Sequence, residues 1–199
     1  MDNLTNSIDQ VVQENALPHE WPKEVLSELK NIEVKNNNRS DLRKIPFVTI
    51  DGKDAKDFDD AVFCEANNDG FVLQVAIADV AEIVEANSSI DKEALLRGTS
   101  IYFPKKVIPM LPEEISNNLC SLIPNKDRNV LVCKINFSKE GEINTYEFSE
   151  ALINSHKRFT YNEVEFIKQN KDINLSEDIL NSINSLEKLT KQLLHNRSK

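Results

Sequence analysis

The chain has 199 residues, 40% hydrophobic and 29% charged, which is enough for one large or two small domains with a hydrophobic core. No apolar run approaches the roughly 20 residues of a membrane span, and residues 1–20 lack the pattern of a signal peptide, so we expect a cytoplasmic protein with no membrane partner. A net charge of −9 argues against indiscriminate binding of nucleic acid through a broad basic face.

The first part of the chain is polar and has helical character. Pro22 suits the first turn of a helix, and apolar residues follow at Val25, Leu26 and Leu29. Residues 34–40 have the composition of a linker. We predict that residues 1–44 form a helical lead-in that is too poor in apolar residues to be a domain, and that a second region spans residues 45–199.

From residue 45 onward, runs of β-branched and aromatic residues predict strands. Residues 47–50 form the first run, and residues 61–63 and 71–78 are expected to pair across a turn at residues 67–70. A second hairpin is predicted from residues 130–137 and 143–153, and its second strand alternates imperfectly, which predicts one partly exposed face. These runs indicate a mainly antiparallel sheet.

Helices are predicted between the hairpins and at the end of the chain. A short helix near residues 91–97 precedes a proline-rich loop and a further short helix at residues 113–118. Thr160 is expected to cap a helix from Tyr161 to Gln169, and Ser176 to cap the last helix. That last helix carries an apolar stripe, which needs the sheet or another partner to cover it: Ile179, Ile183, Leu186, Leu189 and Leu193.

The three cysteines and three histidines do not suggest a zinc site. Cys64, Cys120 and Cys133 are widely separated among apolar neighbours, without a CxxC pair, so we predict buried free thiols. The histidines are scattered, which gives no indication of a histidine-based metal site or a catalytic triad.

The most informative stretch is an aspartate-rich turn between two predicted strands, TIDGKDAKDFDDAV at residues 49–62. Like charges this close raise each other's pKa, and a bound cation is the simplest way to keep them ionised. Mg²⁺ prefers oxygen ligands and is usually held by a few carboxylates, waters and substrate phosphates. The turn contains five carboxylates, which are Asp51, Asp54, Asp57, Asp59 and Asp60.

Two other interpretations of this turn compete with a magnesium site. A solvated acidic loop is the ordinary outcome for an aspartate-rich turn, although the flanking buried strands count against it. A calcium-binding EF-hand loop starting at Asp57 would need glycine at its sixth position and glutamate at its twelfth, but Val62 and Asn68 stand there. The residues alone leave the solvated loop and the magnesium site open.

The turn resembles the signature of the ribonuclease II/R (RNB) family, in which four aspartates surround a catalytic Mg²⁺. The resemblance continues through residues 73–84, 97–128 and 156–164 and covers most of the chain. It implies a processive, hydrolytic 3′-to-5′ exoribonuclease with a mixed α+β catalytic domain of mainly antiparallel, twisted strands and surrounding helices. By that resemblance Asp51, Asp57 and Asp60 are Mg²⁺ ligands, and Asp59 is the aspartate on which the chemistry most depends.

Two tyrosines correspond by resemblance to residues that contact RNA. Tyr102 matches an aromatic residue that stacks on the 3′ end of the RNA and sets the length of the smallest product. An aromatic ring suits this role because stacking tolerates any base. Tyr161 matches a tyrosine implicated in telling ribose from deoxyribose. Without the resemblance, Tyr102 is better interpreted as a packed or capping residue. Arg128 and Arg158 could contact phosphate, but a surface arginine usually has no such role.

The sequence departs from the family in one residue and in length. Ala76 stands where ribonuclease R-like sequences usually have histidine, a change that ribonuclease II-like sequences tolerate. The family's catalytic domain runs on for roughly two hundred further residues, about the size of a domain, and is flanked by oligonucleotide-binding barrels. We therefore predict the N-terminal portion of a catalytic domain, weak or inactive by itself, whose missing half and flanking barrels supply the arginine facing the scissile phosphate and much of the basic surface.

Two further functions remain as alternatives. A non-catalytic RNA- or protein-interaction remnant would dock a partner through the stripe on the last helix. A deoxyribonuclease would use the same carboxylates, because carboxylate–metal chemistry does not choose the sugar.

Overall fold

A computed structural model describes residues 3–34, 38–104, 106–169 and 175–198, and these form two compact units. Unit 1 comprises residues 1–34 and 80–116, and unit 2 comprises residues 35–79 and 117–199, within those described ranges. The predicted linker at residues 34–40 lies partly outside the described residues. The predicted boundary between a lead-in at residues 1–44 and a domain at residues 45–199 stays a prediction.

Unit 2 is built on one sheet of seven strands within the described ranges, which are β1 (Ser40–Asp41), β2 (Val48–Asp51), β3 (Asp60–Ala66), β4 (Gly70–Ala78), β7 (Asp127–Ser138), β8 (Ile143–Asn154) and β9 (Lys157–Thr160). Two further strands, β5 (Ile101–Phe103) and β6 (Lys106–Ile108), form a separate hairpin. The order in the sheet is β1-β8-β7-β4-β3-β2-β9. Its four central pairings are antiparallel, and the outer strands β1 and β9 join in parallel.

Six α-helices and one π-helical turn are present in the described residues. They are α1 (Asn3–Glu14), α2 (Lys23–Leu29), α3 (Val80–Ile83), α4 (Ser89–Arg97), α5 (Tyr161–Gln169), α6 (Glu177–Arg197) and the π-helical turn Ile115–Leu119. None of the described helices has the length and apolarity that crossing a bilayer requires.

Helix α6 covers one face of the sheet in unit 2. Ile179 and Ile183 pack with Val48 of β2 and Phe159 of β9, while Leu189 packs with Cys64 and Phe137. The Ser182 hydroxyl accepts a hydrogen bond from the Cys64 amide at 3.0 Å, which satisfies a buried backbone donor of β3. The predicted apolar stripe is therefore covered by the sheet of the same chain.

Unit 1 has a small core of its own. Ile8 and Val12 of α1 bury their side chains together with Ile108 of β6. Helices α2 and α4 are joined by the Glu28 carboxylate, which accepts hydrogen bonds from the Ser89 and Ile90 amides at 2.7 and 3.4 Å. The N-terminal helix therefore contributes to a small hydrophobic core, which the low apolar content of this part of the sequence did not predict.

The predicted fold class, a mixed α+β arrangement with a mainly antiparallel sheet and surrounding helices, is confirmed. Both predicted hairpins are present, and Thr160 forms a reciprocal capping box with Glu163. Ser176 is the N-cap residue of α6 as predicted, although its side chain makes no capping hydrogen bond. The proline-rich loop contains the unpredicted β5–β6 hairpin, and residues 143–150 of β8 are exposed on both faces rather than one.

Gly70 is the glycine that the β3–β4 hairpin requires. Its φ of 148° lies in a region that side chains rarely adopt, and a Cβ atom there would collide with the Phe137 carbonyl of β7. The turn before it is closed by the Asn67 side chain, whose oxygen accepts hydrogen bonds from the Asp69 and Gly70 amides at 2.9 Å.

We predict that Gly70→Ala destabilises the protein by roughly 1–3 kcal/mol, because the added methyl group forces β4 and β7 apart. Urea denaturation followed by circular dichroism measures the change. Gly52→Ala is the control, since a Cβ at Gly52 meets nothing within 4 Å and φ there is not positive. Equal denaturation midpoints for the two variants would contradict the prediction.

Candidate metal centre

The candidate site is the loop at residues 51–60, which joins the end of β2 to the start of β3 and is here called the aspartate loop. β2 pairs with β3 at Val48 and Val62, and it pairs in parallel with β9, where Asp51 lies opposite Thr160. Both ends of the loop are therefore fixed by neighbouring strands of the same sheet.

Hydrogen bonds from the segment after the π-helical turn and from the end of β4 hold the second half of the loop. The Ser121 hydroxyl, fully buried, accepts from the Phe58 amide at 3.1 Å and donates to the Lys56 carbonyl at 2.8 Å. The Leu122 amide donates to the Phe58 carbonyl at 2.8 Å, and the Ala78 amide donates to the Asp59 carbonyl at 2.9 Å. These contacts give the loop a defined shape beside the core.

Asp51 is the most constrained of the loop carboxylates. It is half-buried, and its Oδ2 atom is fully buried without a hydrogen-bond partner. Burial raises the pKa of Asp51 above its ordinary value, and the negative charges of Asp60, Asp57 and Asp59 raise it further, while the Arg158 charge opposes the shift. A buried anionic oxygen with no donor is a position that a cation would satisfy.

The other predicted ligands lie around the same loop. Loss of hydration is the main cause of a raised pKa at Asp59, and the charges of Asp57 and Asp60 add to it. Asp57 is half-buried, Asp59 and Asp60 lie at the surface, and Asp60 starts β3 opposite Ile77. Asp57 and Asp60 are thus close enough to raise the pKa of both Asp51 and Asp59.

The side chains do not stand in a ready-made coordination cage. Among the described residues, no group of three or more His, Cys, Asp or Glu side chains is arranged to hold a metal ion. The donor set consists of hard carboxylate oxygens, which suits Mg²⁺, and the partnerless Asp51 oxygen offers a ligand. The residues fit a magnesium ion in chemistry, and binding would require the carboxylates to turn towards each other.

The two predicted RNA-contacting tyrosines are both exposed. Tyr161 is 65% exposed and begins α5 directly after Thr160, the residue that pairs with Asp51, so the chain brings it beside the aspartate loop. Tyr102, in the β5–β6 hairpin of unit 1, is 70% exposed, so it is not the packed residue that the sequence alone favours.

Two groups of residues that support the loop had no clear signal in the sequence. Ser121 lies in an unremarkable apolar stretch, and its role depends on a hydrogen bond to a residue 63 positions earlier. For Arg128 and Arg158, the sequence suggests only a contact to phosphate. Arg128 donates to the carbonyls of Ser121, Asn118 and Asp127, and Arg158 donates to carbonyls in the aspartate loop.

The cysteines are free, and no thiol enters the site as a ligand in the described arrangement. Cys64 and Cys120 are buried as predicted, and Cys133 is half-buried. Burial raises the pKa of Cys64 to about 12 and that of Cys120 to about 11, so both are protonated at neutral pH.

A cleft of about 550 Å³ between β3 and α6 is lined by none of the four aspartates.

The fold and the acidic loop define a mixed α+β domain whose loop carries the oxygen donors of a candidate metal site. The RNB domain model matches residues 39–199, and the chain belongs to the RNB domain family, as the motifs predicted.

Ribonuclease R proteins are among its relatives. The one from Buchnera aphidicola subsp. Acyrthosiphon pisum is 48% identical over 92% of this chain and 26% of its own length. The one from Acidithiobacillus ferrooxidans is 49% identical over 79% of this chain and 37% of its own length. Mycoplasma genitalium RNase R in complex with double-stranded RNA superposes with a TM-score of 0.93 at 37% identity, covering 98% of this chain and 36% of that chain. The chain therefore spans about a quarter to somewhat over a third of the length of these relatives.

We predict that Asp51→Asn stabilises the metal-free protein at neutral pH. The raised pKa means that the folded state holds the Asp51 proton more tightly than the unfolded chain, so ionisation costs stability as the pH rises through that pKa. The gain should shrink as the pH falls towards the ordinary aspartate pKa of about 3.9, where wild type is protonated as well. Denaturant midpoints measured at several pH values in EDTA test this, with the exposed Asp54→Asn as control. A midpoint at pH 7 that falls in Asp51→Asn would refute the prediction.

Proposed function

We propose that this chain carries the metal-binding part of a Mg²⁺-dependent, hydrolytic 3′-to-5′ exoribonuclease that releases nucleoside 5′-monophosphates. The observation that carries the proposal is the buried Asp51 oxygen that has no hydrogen-bond partner, on a carboxyl group whose pKa is raised by burial and by the charges of neighbouring aspartates. Membership of the RNB family, and relatives that are named Ribonuclease R, support RNA as the substrate. A cytoplasmic location is part of the same proposal.

The aspartates divide the work according to the resemblance. Asp51, Asp57 and Asp60 would hold the ion, and Asp59 would orient the attacking water or share the ion. Mg²⁺, when bound, makes water more nucleophilic and steadies the charge that builds up on the phosphodiester. The water oxygen bonds to phosphorus and loses a proton, and the 3′ oxygen of the preceding nucleotide leaves and takes up a proton to become a hydroxyl, which frees a terminal 5′-monophosphate.

Single-stranded RNA would enter by its 3′ end. The exposed rings of Tyr102 and Tyr161 offer a stacking surface and a contact to the sugar. This chain matches only 26% and 37% of the length of the two ribonuclease R relatives described above. We therefore expect the rest of the catalytic domain and the flanking oligonucleotide-binding domains to supply most RNA contacts, and this chain alone to turn over weakly or not at all. The loss of one positive group from a phosphoryl-transfer site already costs much of the transition-state stabilisation.

The alternative of a non-catalytic interaction remnant has lost the surface that suggested it. The apolar stripe on α6 was its candidate docking site, yet Ile179, Ile183 and Leu189 are buried against the sheet of the same unit. Of the stripe, Leu193 remains 38% exposed.

We predict that wild type binds Mg²⁺ and that Asp59→Asn weakens binding at least tenfold, since one carboxylate ligand or a partner of the bound water is lost. Isothermal calorimetry measures the dissociation constant. Activity is measured in a chimera in which residues 39–199 replace the matching segment of a ribonuclease R relative, where Asp59→Asn should lower release of monophosphates from single-stranded RNA by about a hundredfold or more.

Asp54→Asn is the matched control for this experiment, because Asp54 lies in the same loop, is exposed and corresponds to none of the four family aspartates. It should leave both measurements nearly unchanged. Wild type that binds no Mg²⁺, or a chimera as active with Asp59→Asn as without it, would overturn the proposed function.

We predict that Tyr161→Ala lowers the preference of the same chimera for RNA over DNA roughly tenfold, the loss expected for one hydrogen bond to the ribose hydroxyl. Rates on ribo- and deoxyribo-oligomers of one sequence give the preference. Tyr146→Ala serves as control, since Tyr146 is also 65% exposed but lies on β8. If the wild-type chimera degraded both oligomers equally, the deoxyribonuclease alternative would gain support instead.

A further inference from the structure

The first half of the aspartate loop is held by a single side chain, Arg158 of β9. One terminal nitrogen of its guanidinium donates hydrogen bonds to the carbonyls of Gly52 and Lys53, at 2.6 and 3.0 Å. These two residues follow Asp51 directly. Hydrogen bonds from a charged donor are stronger than neutral ones, so this contact restrains the loop where it leaves β2.

The same guanidinium also reaches the second half of the loop. Its central carbon lies 5.5 Å from the centroid of the Phe58 ring, the residue next to Asp59. The Phe58 backbone is in turn bonded to Ser121 and Leu122. Arg158 thus contacts the first half of the aspartate loop through hydrogen bonds and the second half through the Phe58 ring.

The position of Arg158 is fixed by the sheet rather than by the loop. β9 pairs in parallel with β2, and Arg158 lies opposite Thr49, two residues before Asp51. Arg158 is half-buried, and its Nε is fully buried without a hydrogen-bond partner. A strand of the sheet therefore presents the guanidinium to the loop, and the terminal nitrogen that donates is committed to two backbone carbonyls.

We propose that Arg158 is a positioning residue that holds the aspartate loop in the shape needed to bind a divalent cation, by bonding the Gly52 and Lys53 carbonyls and contacting the Phe58 ring. The inference rests on the proposed metal-binding role of the loop. It makes a prediction opposite to that of simple electrostatics. Removal of a nearby positive charge would by itself tighten cation binding, whereas loss of a positioning residue weakens it.

The test compares Arg158→Gln with Lys157→Gln, which removes one positive charge from the neighbouring, exposed position of β9. In metal-free protein, amide hydrogen exchange of residues 52–58 should accelerate about tenfold or more in Arg158→Gln and stay unchanged in Lys157→Gln. The Mg²⁺ dissociation constant from calorimetry should rise about tenfold in Arg158→Gln only. Denaturant midpoints confirm that each variant is folded under the conditions used.

Two further variants keep the proposal testable if Arg158→Gln fails to fold. Arg158→Lys retains the charge but not the planar guanidinium, so its loop should still exchange fast and its Mg²⁺ affinity should stay low. Phe58→Leu removes only the ring contact, and its Mg²⁺ dissociation constant should rise roughly threefold. Affinity that is unchanged or tighter in Arg158→Gln, or full recovery by lysine, would overturn the inference.

The outcome is separable from that of the proposed function. If wild type binds no Mg²⁺, the proposed function fails, and the exchange rates still decide whether Arg158 holds the loop. If wild type binds Mg²⁺ and loop exchange is unaffected in Arg158→Gln, the function stands and the positioning role is rejected.

Discussion

The aspartate loop has to hold carboxylates that repel one another close together, and the rest of the site depends on that constraint. Loss of hydration raises the pKa of both Asp51 and Asp59, and the nearby charges of Asp57 and Asp60 raise it further. A flexible loop would relieve this by opening into water. The aspartate loop is instead fixed at both ends by paired strands, and its second half is hydrogen-bonded to the buried Ser121 hydroxyl. That rigidity costs stability in the absence of a cation and favours its binding.

The sheet provides this rigidity through long-range pairing. β9 returns about a hundred residues after β2 to lie beside it, which places Arg158 opposite Thr49 and Thr160 opposite Asp51. Helix α6 then covers the same strands, with Ile183 in the core beside Val48 and Phe159. The site and the core of unit 2 are therefore coupled, because a change that loosens α6 would also loosen the strands that carry the loop.

Short sequence patterns predicted the elements that are determined by interactions between residues close together in the chain. The Asn67–Gly70 turn, the Thr160 capping box and the periodic stripe of α6 are each encoded within a few residues, and each is present. β9 and the β5–β6 hairpin were missed because strands of three or four residues carry almost no periodicity. Ser121 and Arg158 were missed as loop supports, since a bond from a side chain to a distant carbonyl leaves no pattern in either segment.

The distribution of positive charge gives the site its chemical character. The chain carries a net charge of −9, and the two arginines that best suited phosphate contact, Arg128 and Arg158, both donate to backbone carbonyls. Both side chains are thus engaged with the backbone in and around the aspartate loop. Under the proposed function, a divalent cation is then needed twice: it allows the carboxylates to stay ionised together, and it supplies the positive charge that lets an anionic substrate approach them.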